Sequence, residues 1–125
     1  MLDTNVAIHL RDRDVEITRR VNALDDDLVI SAVTRVELEA GVYRDPNSTQ
    51  IRRARLDVVL ATIRTVDFDD SCAVAYGKIV QVAGYSRRKL LDRMIAAQAV
   101  VHRATLVSLN ADDFRDILGL SLLAW

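Results

Sequence analysis

The sequence predicts an α/β fold with a mainly parallel sheet, and three observations support that fold class. Short runs of branched apolar residues, typical of buried strands, recur along the chain. Longer stretches with apolar residues at helical spacing separate these runs, which is the pattern of repeated β–α units. The chain has 125 residues, 50% of them hydrophobic, which is enough for one core and short for two. We therefore expect a single domain over residues 1–125.

The predicted elements follow one another without a linker or repeat. Five strands are expected, over residues 1–2, 28–30, 65–68, 105–109 and 120–123. Helices are expected over residues 15–24, 34–42, 49–63, 69–84 and 90–102, with a turn at 45–48. In the helix that begins at residue 49, the apolar face comprises Ile51, Leu56, Val59, Leu60 and Ile63. Ligand sites of parallel sheets lie beyond the carboxyl ends of the strands. Polar residues that follow the strands are therefore the candidates for function.

Composition excludes several classes of protein. One cysteine and two histidines rule out an internal disulfide and are too few for a structural zinc site. The chain shows no secretion signal and no apolar run of the roughly 20 residues that span a bilayer, so we expect a soluble cytoplasmic protein without a membrane partner. Basic and acidic residues nearly balance, 17 against 18, although 15 of the bases are arginine and 15 of the acids are aspartate. Broad positive charge is therefore not the way this chain would bind nucleic acid.

Acidic residues recur at the predicted strand ends. Asp3 follows the first strand, Glu37 lies about one helical turn after the second, and Asp112 and Asp113 follow the fourth. Asp92 is a lone acid near the start of an otherwise apolar helix. Each has an ordinary explanation as a helix cap or an exposed side chain. Together they would form a cluster of like charges, which a divalent metal commonly neutralises. Carboxylate oxygens favour Mg²⁺ or Mn²⁺, and such sites hydrolyse phosphate esters.

Four segments in order resemble the PIN-domain family, and more narrowly the VapC-type toxins of bacterial toxin–antitoxin modules. They are residues 2–5 (LDTN), 30–38 (ISAVTRVEL), 91–97 (LDRMIAA), and 106–110 (LVSLN) with Asp113-Phe114. The resemblance covers nearly the whole chain. It implies a three-layer α/β/α domain that acts as a Mg²⁺- or Mn²⁺-dependent endoribonuclease and leaves 5′-phosphate and 3′-hydroxyl ends. It also implies a cognate antitoxin and a homodimer.

The resemblance assigns candidate residues to the site. Asp3, Glu37 and Asp92 fall on acidic metal-binding positions, and Thr4 and Asn5 on polar positions that steady the site.

The fourth acid is less direct, because Asn110 stands where many relatives have an acid. We expect Asp113, or less favourably Asp112, to replace it. Only two residues precede Asp3, so the first strand is either very short or begins upstream of Met1.

Two alternatives remain at this point. The basic segment before and within the fifth predicted helix is either a clamp for RNA phosphates or ordinary solvated surface; it comprises Arg87, Arg88, Lys89 and Arg93. Asn110 also leaves open a catalytically silent PIN-like module that only binds RNA or protein. Metal-dependent RNA cleavage separates the enzyme from the binding module.

Overall fold

A parallel sheet is built around Leu2, which joins two pairs of strands. The computed structural model describes residues 1–125. Strand β1 (Val29–Ser31) pairs with β2 (Arg64–Val66), and β3 (Leu106–Ser108) pairs with β4 (Leu122–Ala124), all in parallel. Leu2 makes parallel bridges to both β1 and β3. The order across the sheet is therefore β2–β1–Leu2–β3–β4, which confirms the predicted parallel α/β fold.

In this chain the first strand is represented by the single bridging residue Leu2. Its backbone is nevertheless held on both sides, because the Leu2 N–H donates to Val29 O at 2.9 Å and the Asp3 N–H donates to Val107 O at 2.9 Å. The strand order reverses direction at Leu2, which makes this point the topological switch of the sheet. Clefts open at the carboxyl ends of strands at such points. Asp3, the next residue, is therefore placed where a ligand site is expected.

Six α-helices connect the strands. They are α1 (Thr4–Arg11), α2 (Val15–Asn22), α3 (Ala32–Tyr43), α4 (Thr49–Thr62), α5 (Asp70–Ala83) and α6 (Leu90–Val101), and a short 3₁₀ helix covers Ala111–Phe114. None of these helices is both long and apolar enough to cross a membrane. Local signals explain several boundaries: Ser31 and Asp69 cap α3 and α5 through their side chains, and Gly84 ends α5 with a φ of 83°.

Two apolar cores cover the two faces of the sheet, because side chains alternate along each strand. Leu2, Ile30 and Val107 pack with α1–α4 on one face. Val29 and Leu106 pack with α6 and the 3₁₀ helix on the other. The sheet is thus enclosed between two layers of helices, as the resemblance implied.

One expectation about α4 is wrong. Ile51 was placed on its buried face but is 49% exposed, whereas Leu56, Val59 and Ile63 are buried. Five residues of an α-helix turn the side chain by about 140° from the starting direction. Ile51 therefore points away from the side of the helix that Leu56 occupies.

Candidate active site

Asp3 lies at the centre of the acidic cluster and is only 3% exposed. It caps α1: its Oδ1 accepts a hydrogen bond from Thr4 N at 2.8 Å. Its Oδ2 accepts one from Ser108 Oγ at 2.8 Å, and Ser108 in turn accepts from Asn110 N at 2.9 Å. Burial raises the pKa of the Asp3 carboxyl, against the opposing effect of these hydrogen bonds. The helix-cap explanation is thus correct and does not exclude a place in the site.

Thr4 connects Asp3 to the second acid. Its hydroxyl donates to Glu37 Oε2 at 2.5 Å, while its backbone N–H donates to Asp3. The Thr34 hydroxyl lies 3.0 Å from that of Thr4. Because Thr4 uses its proton for Glu37, Thr34 is the donor in that contact. The predicted steadying role of Thr4 therefore has a visible geometry, and Asn5 lines the same cleft.

Asp92 lies in the first turn of α6. Burial is the main cause that raises its pKa to about 6, and the negative charges of Asp3, Asp113 and Glu37 add to it; Lys89 acts in the opposite direction. Asp3, Asp113 and Glu37 are therefore close enough to Asp92 to oppose its ionisation.

Gln98 holds α6 against the carboxyl ends of two strands. Its Nε2 donates to Val66 O at 2.9 Å and to Asp67 O at 2.8 Å, and its Oε1 accepts from the Ser31 hydroxyl. Gln98 is completely buried, so these bonds are not shared with solvent. This anchor places the first turn of α6, and with it Asp92, at the edge where the other acids lie.

The 3₁₀ helix after β3 separates two neighbouring aspartates. Asp113 adds to the charges that raise the pKa of Asp3 and Asp92. The side chain of Asp112 is 87% exposed and forms an ion pair with Arg115 at 2.8 Å. The structure therefore brings Asp113 to the cluster and leaves Asp112 in solvent.

A polar cleft of about 350 Å³ contains three of the acids, Asp3, Glu37 and Asp92. Arginines from three helices lie across it, namely Arg11, Arg44 and Arg52. A larger concavity, about 670 Å³, lies between α1, α2 and α4, but it is mainly apolar and has no carboxylate. The chemistry therefore belongs to the smaller cleft.

The carboxylate cluster has the donor chemistry of a hard divalent cation. All its side-chain donors are oxygens, which suit Mg²⁺ or Mn²⁺ better than zinc. Burial first, and the neighbouring acids second, raise the pKa of Asp3 and Asp92, and both effects would be opposed by a bound cation. As the side chains stand, no three acidic, histidine or cysteine side chains are close enough together to enclose one ion. The residues fit such an ion by chemistry and charge.

The basic segment predicted to hold phosphate is divided by the structure. Arg87 and Arg88 are exposed, and Lys89 pairs with Asp116 at 3.2 Å. Arg93 is 2% exposed; its guanidinium donates to Gly84 O and lies 3.3 Å from Asp116. The expectation that Arg93 contacts RNA is corrected, because its charge is used inside the protein to tie the end of α5 to the segment after the 3₁₀ helix.

Sequence reasoning missed several residues around the site. Ser108 and Thr34 are completely buried hydroxyl groups bonded to the acidic network. A signal for Ser108 exists, because it is a polar residue inside the apolar run of β3. The three cleft arginines carry no comparable signal, since they are dispersed over α1, the end of α3 and the start of α4.

Comparison with known proteins agrees with this fold. The PIN domain family profile matches residues 1–119. Ribonuclease VapC2 of Rickettsia felis is 27% identical and Ribonuclease VapC1 of Haemophilus influenzae is 30% identical; each alignment covers 100% of this chain and 96% of the relative. Among solved structures, VapBC2 from Rickettsia felis bound to a promoter DNA fragment matches with a TM-score of 0.87 and 26% identity, over 100% of this chain and 97% of the other. The chain belongs to the PIN-domain family.

Proposed function

We infer that this protein is an endoribonuclease that serves as the toxin of a toxin–antitoxin module. The observation that carries the inference is the meeting of Asp3, Glu37, Asp92 and Asp113 at the switch point of a PIN-domain sheet. Full-length relatives at 27–30% identity are named ribonucleases, and a structural relative is a toxin–antitoxin complex. The whole chain, residues 1–125, acts as one domain, and its place of action is the cytoplasm.

The four carboxylates are proposed to hold one or two Mg²⁺ or Mn²⁺ ions. When bound, the metal supplies positive charge to the phosphoryl oxygens and an activated water for in-line attack, which leaves 5′-phosphate and 3′-hydroxyl ends. The protein supplies preorganisation. Ser108 and Thr4 fix Asp3, and Thr4 also fixes Glu37, so two acids are held before substrate arrives. With a pKa of about 6, Asp92 is mostly ionised at neutral pH and available as a ligand.

Arg87, Arg88 and Lys89 are proposed to contact RNA. They lie just before the first turn of α6, adjacent in sequence to Asp92, and two of them are exposed without an ion pair. Their contribution is electrostatic and depends on salt. Arg93 is not part of this surface.

The function is tested by Asp92→Asn. The amide keeps the shape of the side chain and removes the charge that a metal needs, so RNA cleavage should be abolished while the circular dichroism spectrum is unchanged. Asp112→Asn is the matched control, because that acid is exposed and paired with Arg115, and it should cleave normally. EDTA should also stop cleavage by the wild type. RNA binding without any cleavage, in the presence of Mg²⁺ or Mn²⁺, would support the silent binding module that Asn110 leaves open.

A second copy of the chain is proposed to cover α5. This helix is rich in apolar residues, yet Cys72 is its only buried residue. Val74 and Val82 are 59% and 65% exposed. A helix that is apolar on most sides is normally enclosed, so this face suits a homodimer. Val74→Glu with Val82→Glu should convert the dimer to a monomer in light scattering; a wild type that is already monomeric would refute the assignment.

The cognate antitoxin is proposed to occupy the apolar groove between α1, α2 and α4. Its rim carries Val15, 84% exposed, and Val58, 58% exposed. Large exposed apolar grooves are common sites of protein binding. Val15→Glu with Val58→Glu should prevent copurification with the product of the neighbouring small reading frame and leave RNA cleavage intact. Unchanged copurification would place the antitoxin elsewhere.

A further inference from the structure

We propose that Arg44 and Arg52 form a phosphate subsite that holds the RNA backbone beside the carboxylate cluster. The inference rests on the proposed RNA substrate and adds where the chain binds it. The cleft of about 350 Å³ is lined by residues of both charges, namely four acids (Asp3, Asp12, Glu37 and Asp92) and three arginines (Arg11, Arg44 and Arg52). The segment that looked most basic in the sequence, residues 87–89, does not line this cleft.

Arg11 and Arg52 converge on the backbone of α3 at Gly41. Arg52 Nη1 donates to Gly41 O at 2.9 Å. Arg11 Nη1 approaches from the other side, so closely that a Cβ atom at position 41 would lie 2.9 Å from it. Glycine at this position therefore allows both side chains to pack against the same turn of α3. Arg11 and Arg52 are therefore held against α3, whereas Arg44 is an exposed side chain at the C-terminal end of that helix.

The three arginines differ in how much of their charge is available. Arg11 is 4% exposed and its guanidinium forms a forked pair with Asp12, at 2.9 and 3.1 Å. Its charge is neutralised inside the protein. Arg44 and Arg52 form no ion pair. These two are therefore the cations of the cleft that remain free to bind an anion.

Asp45, an acid on which Arg52 acts electrostatically, does not neutralise the Arg52 charge through an ion pair. Asp45 has a lowered pKa, caused first by hydrogen bonds from Ser48 and Asn47 and only weakly by Arg52. Both Asp45 oxygens accept these local bonds, at 2.8 Å from Ser48 Oγ and 3.1 Å from Asn47 N. Arg52 is left with one bond to a neutral carbonyl and with further N–H groups directed to the cleft.

RNA in this cleft requires such a cationic wall. The scissile phosphate must approach carboxylates that repel it, and only the metal offsets that repulsion. A neighbouring phosphate has no metal and needs its own counter-charge. Arginine provides it with a planar fork that matches phosphate oxygens. The backbone would then pass from the acidic side of the cleft, across α1, to the end of α3 and the start of α4.

The test measures how RNA binding depends on salt. Each phosphate contact to a single strand contributes roughly 0.7 to the slope of log K against log [salt], so losing two contacts lowers the slope by about 1.4. The probe is a fluorescent single-stranded RNA, titrated in EDTA at several KCl concentrations. The parent protein is Asp92→Asn, which should not cleave. In this parent, the double variant Arg44→Gln/Arg52→Gln is compared with a control double variant, Arg64→Gln/Arg103→Gln. The control removes two charges at the amino ends of the strands, away from the cleft.

We expect the double variant Arg44→Gln/Arg52→Gln, the cleft pair, to reduce the magnitude of the salt slope by about 1.4. If the two binding curves meet at 1 M KCl, its affinity for RNA at 0.1 M KCl is then about 25-fold lower than that of the parent. Lysine at both positions should restore most of the slope. The control pair should bind like the parent. An unchanged slope in the cleft pair, or an equal loss in the control pair, would refute the subsite while leaving the RNA substrate intact. If the parent binds no RNA in EDTA and none when Mg²⁺ or Mn²⁺ replaces the EDTA, the proposed substrate itself fails, and the subsite with it.

Discussion

Asp92→Asn should make the metal-free protein more stable at neutral pH, although it removes a residue of the active site. Burial and the surrounding acids raise the pKa of Asp92 from 3.8 to about 6. Since one pKa unit corresponds to about 1.4 kcal/mol, ionisation of this group costs the folded state up to about 3 kcal/mol. Water in the open cleft screens part of this. We therefore expect a gain of about 1–3 kcal/mol, or several degrees in melting temperature.

The sign of the effect fixes its dependence on pH. The folded state holds the Asp92 proton more tightly than the unfolded chain, so the charge costs nothing below about pH 4, where both states are protonated. The cost grows as the pH rises to about 6 and is complete above it. The advantage of Asp92→Asn should therefore be absent at pH 3.5 and full at pH 7.5. Urea unfolding in EDTA at both pH values measures it.

Asp112→Asn is the control for this experiment, because it removes a neighbouring exposed charge and should change stability by less than about 0.5 kcal/mol. The reasoning fails if Asp92→Asn is equal to or less stable than the wild type at pH 7.5 in EDTA. It also fails if the gain is the same at both pH values, since a gain independent of ionisation would come from packing.

Three further outcomes are expected. Mg²⁺ or Mn²⁺ at about a hundredfold above its Kd should stabilise the wild type by roughly 2.7 kcal/mol, whereas NaCl of equal ionic strength should not. If calorimetry shows no metal-specific rise in melting temperature up to several millimolar metal, the four-acid metal site is contradicted. Arg93→Met should lower the free energy of unfolding in urea by about 2–3 kcal/mol, because it leaves the Gly84 carbonyl without its buried donor. Arg93→Lys should restore little of this stability. An Arg93→Met variant as stable as the wild type would show that this anchor is unimportant. Replacing Arg87, Arg88 and Lys89 with alanine should flatten the salt dependence of RNA binding, and an identical slope would assign them to plain surface.

Local patterns in the sequence predicted the strands and five of the six helices, but not α1. Strand and helix positions follow from apolar spacing, and boundaries follow from short-range signals such as the Ser31 cap and Gly84 at the end of α5. The parallel sheet and the placement of Asp3 and Glu37 at strand ends follow from the same alternation of elements. These features depend on neighbours a few residues away, which the sequence displays directly.

Only the tertiary structure decided between residues that look alike along the chain. Asp112 and Asp113 are adjacent, yet one pairs with Arg115 in solvent and the other acts on the buried acids. Likewise Arg93 continues the basic run that begins at Arg87, but it is buried against Asp116.

The arginines of the cleft are the converse case, because they are separated along the chain and close together in space. Arg11, Arg44 and Arg52 are dispersed along the sequence and line one cleft, and Arg11 and Arg52 both pack at Gly41 of α3. Periodicity determines which face of a helix is buried, but it does not determine which other helix that face meets. That choice is made by packing across the two faces of the sheet, and it is the packing that places these charges around one cleft.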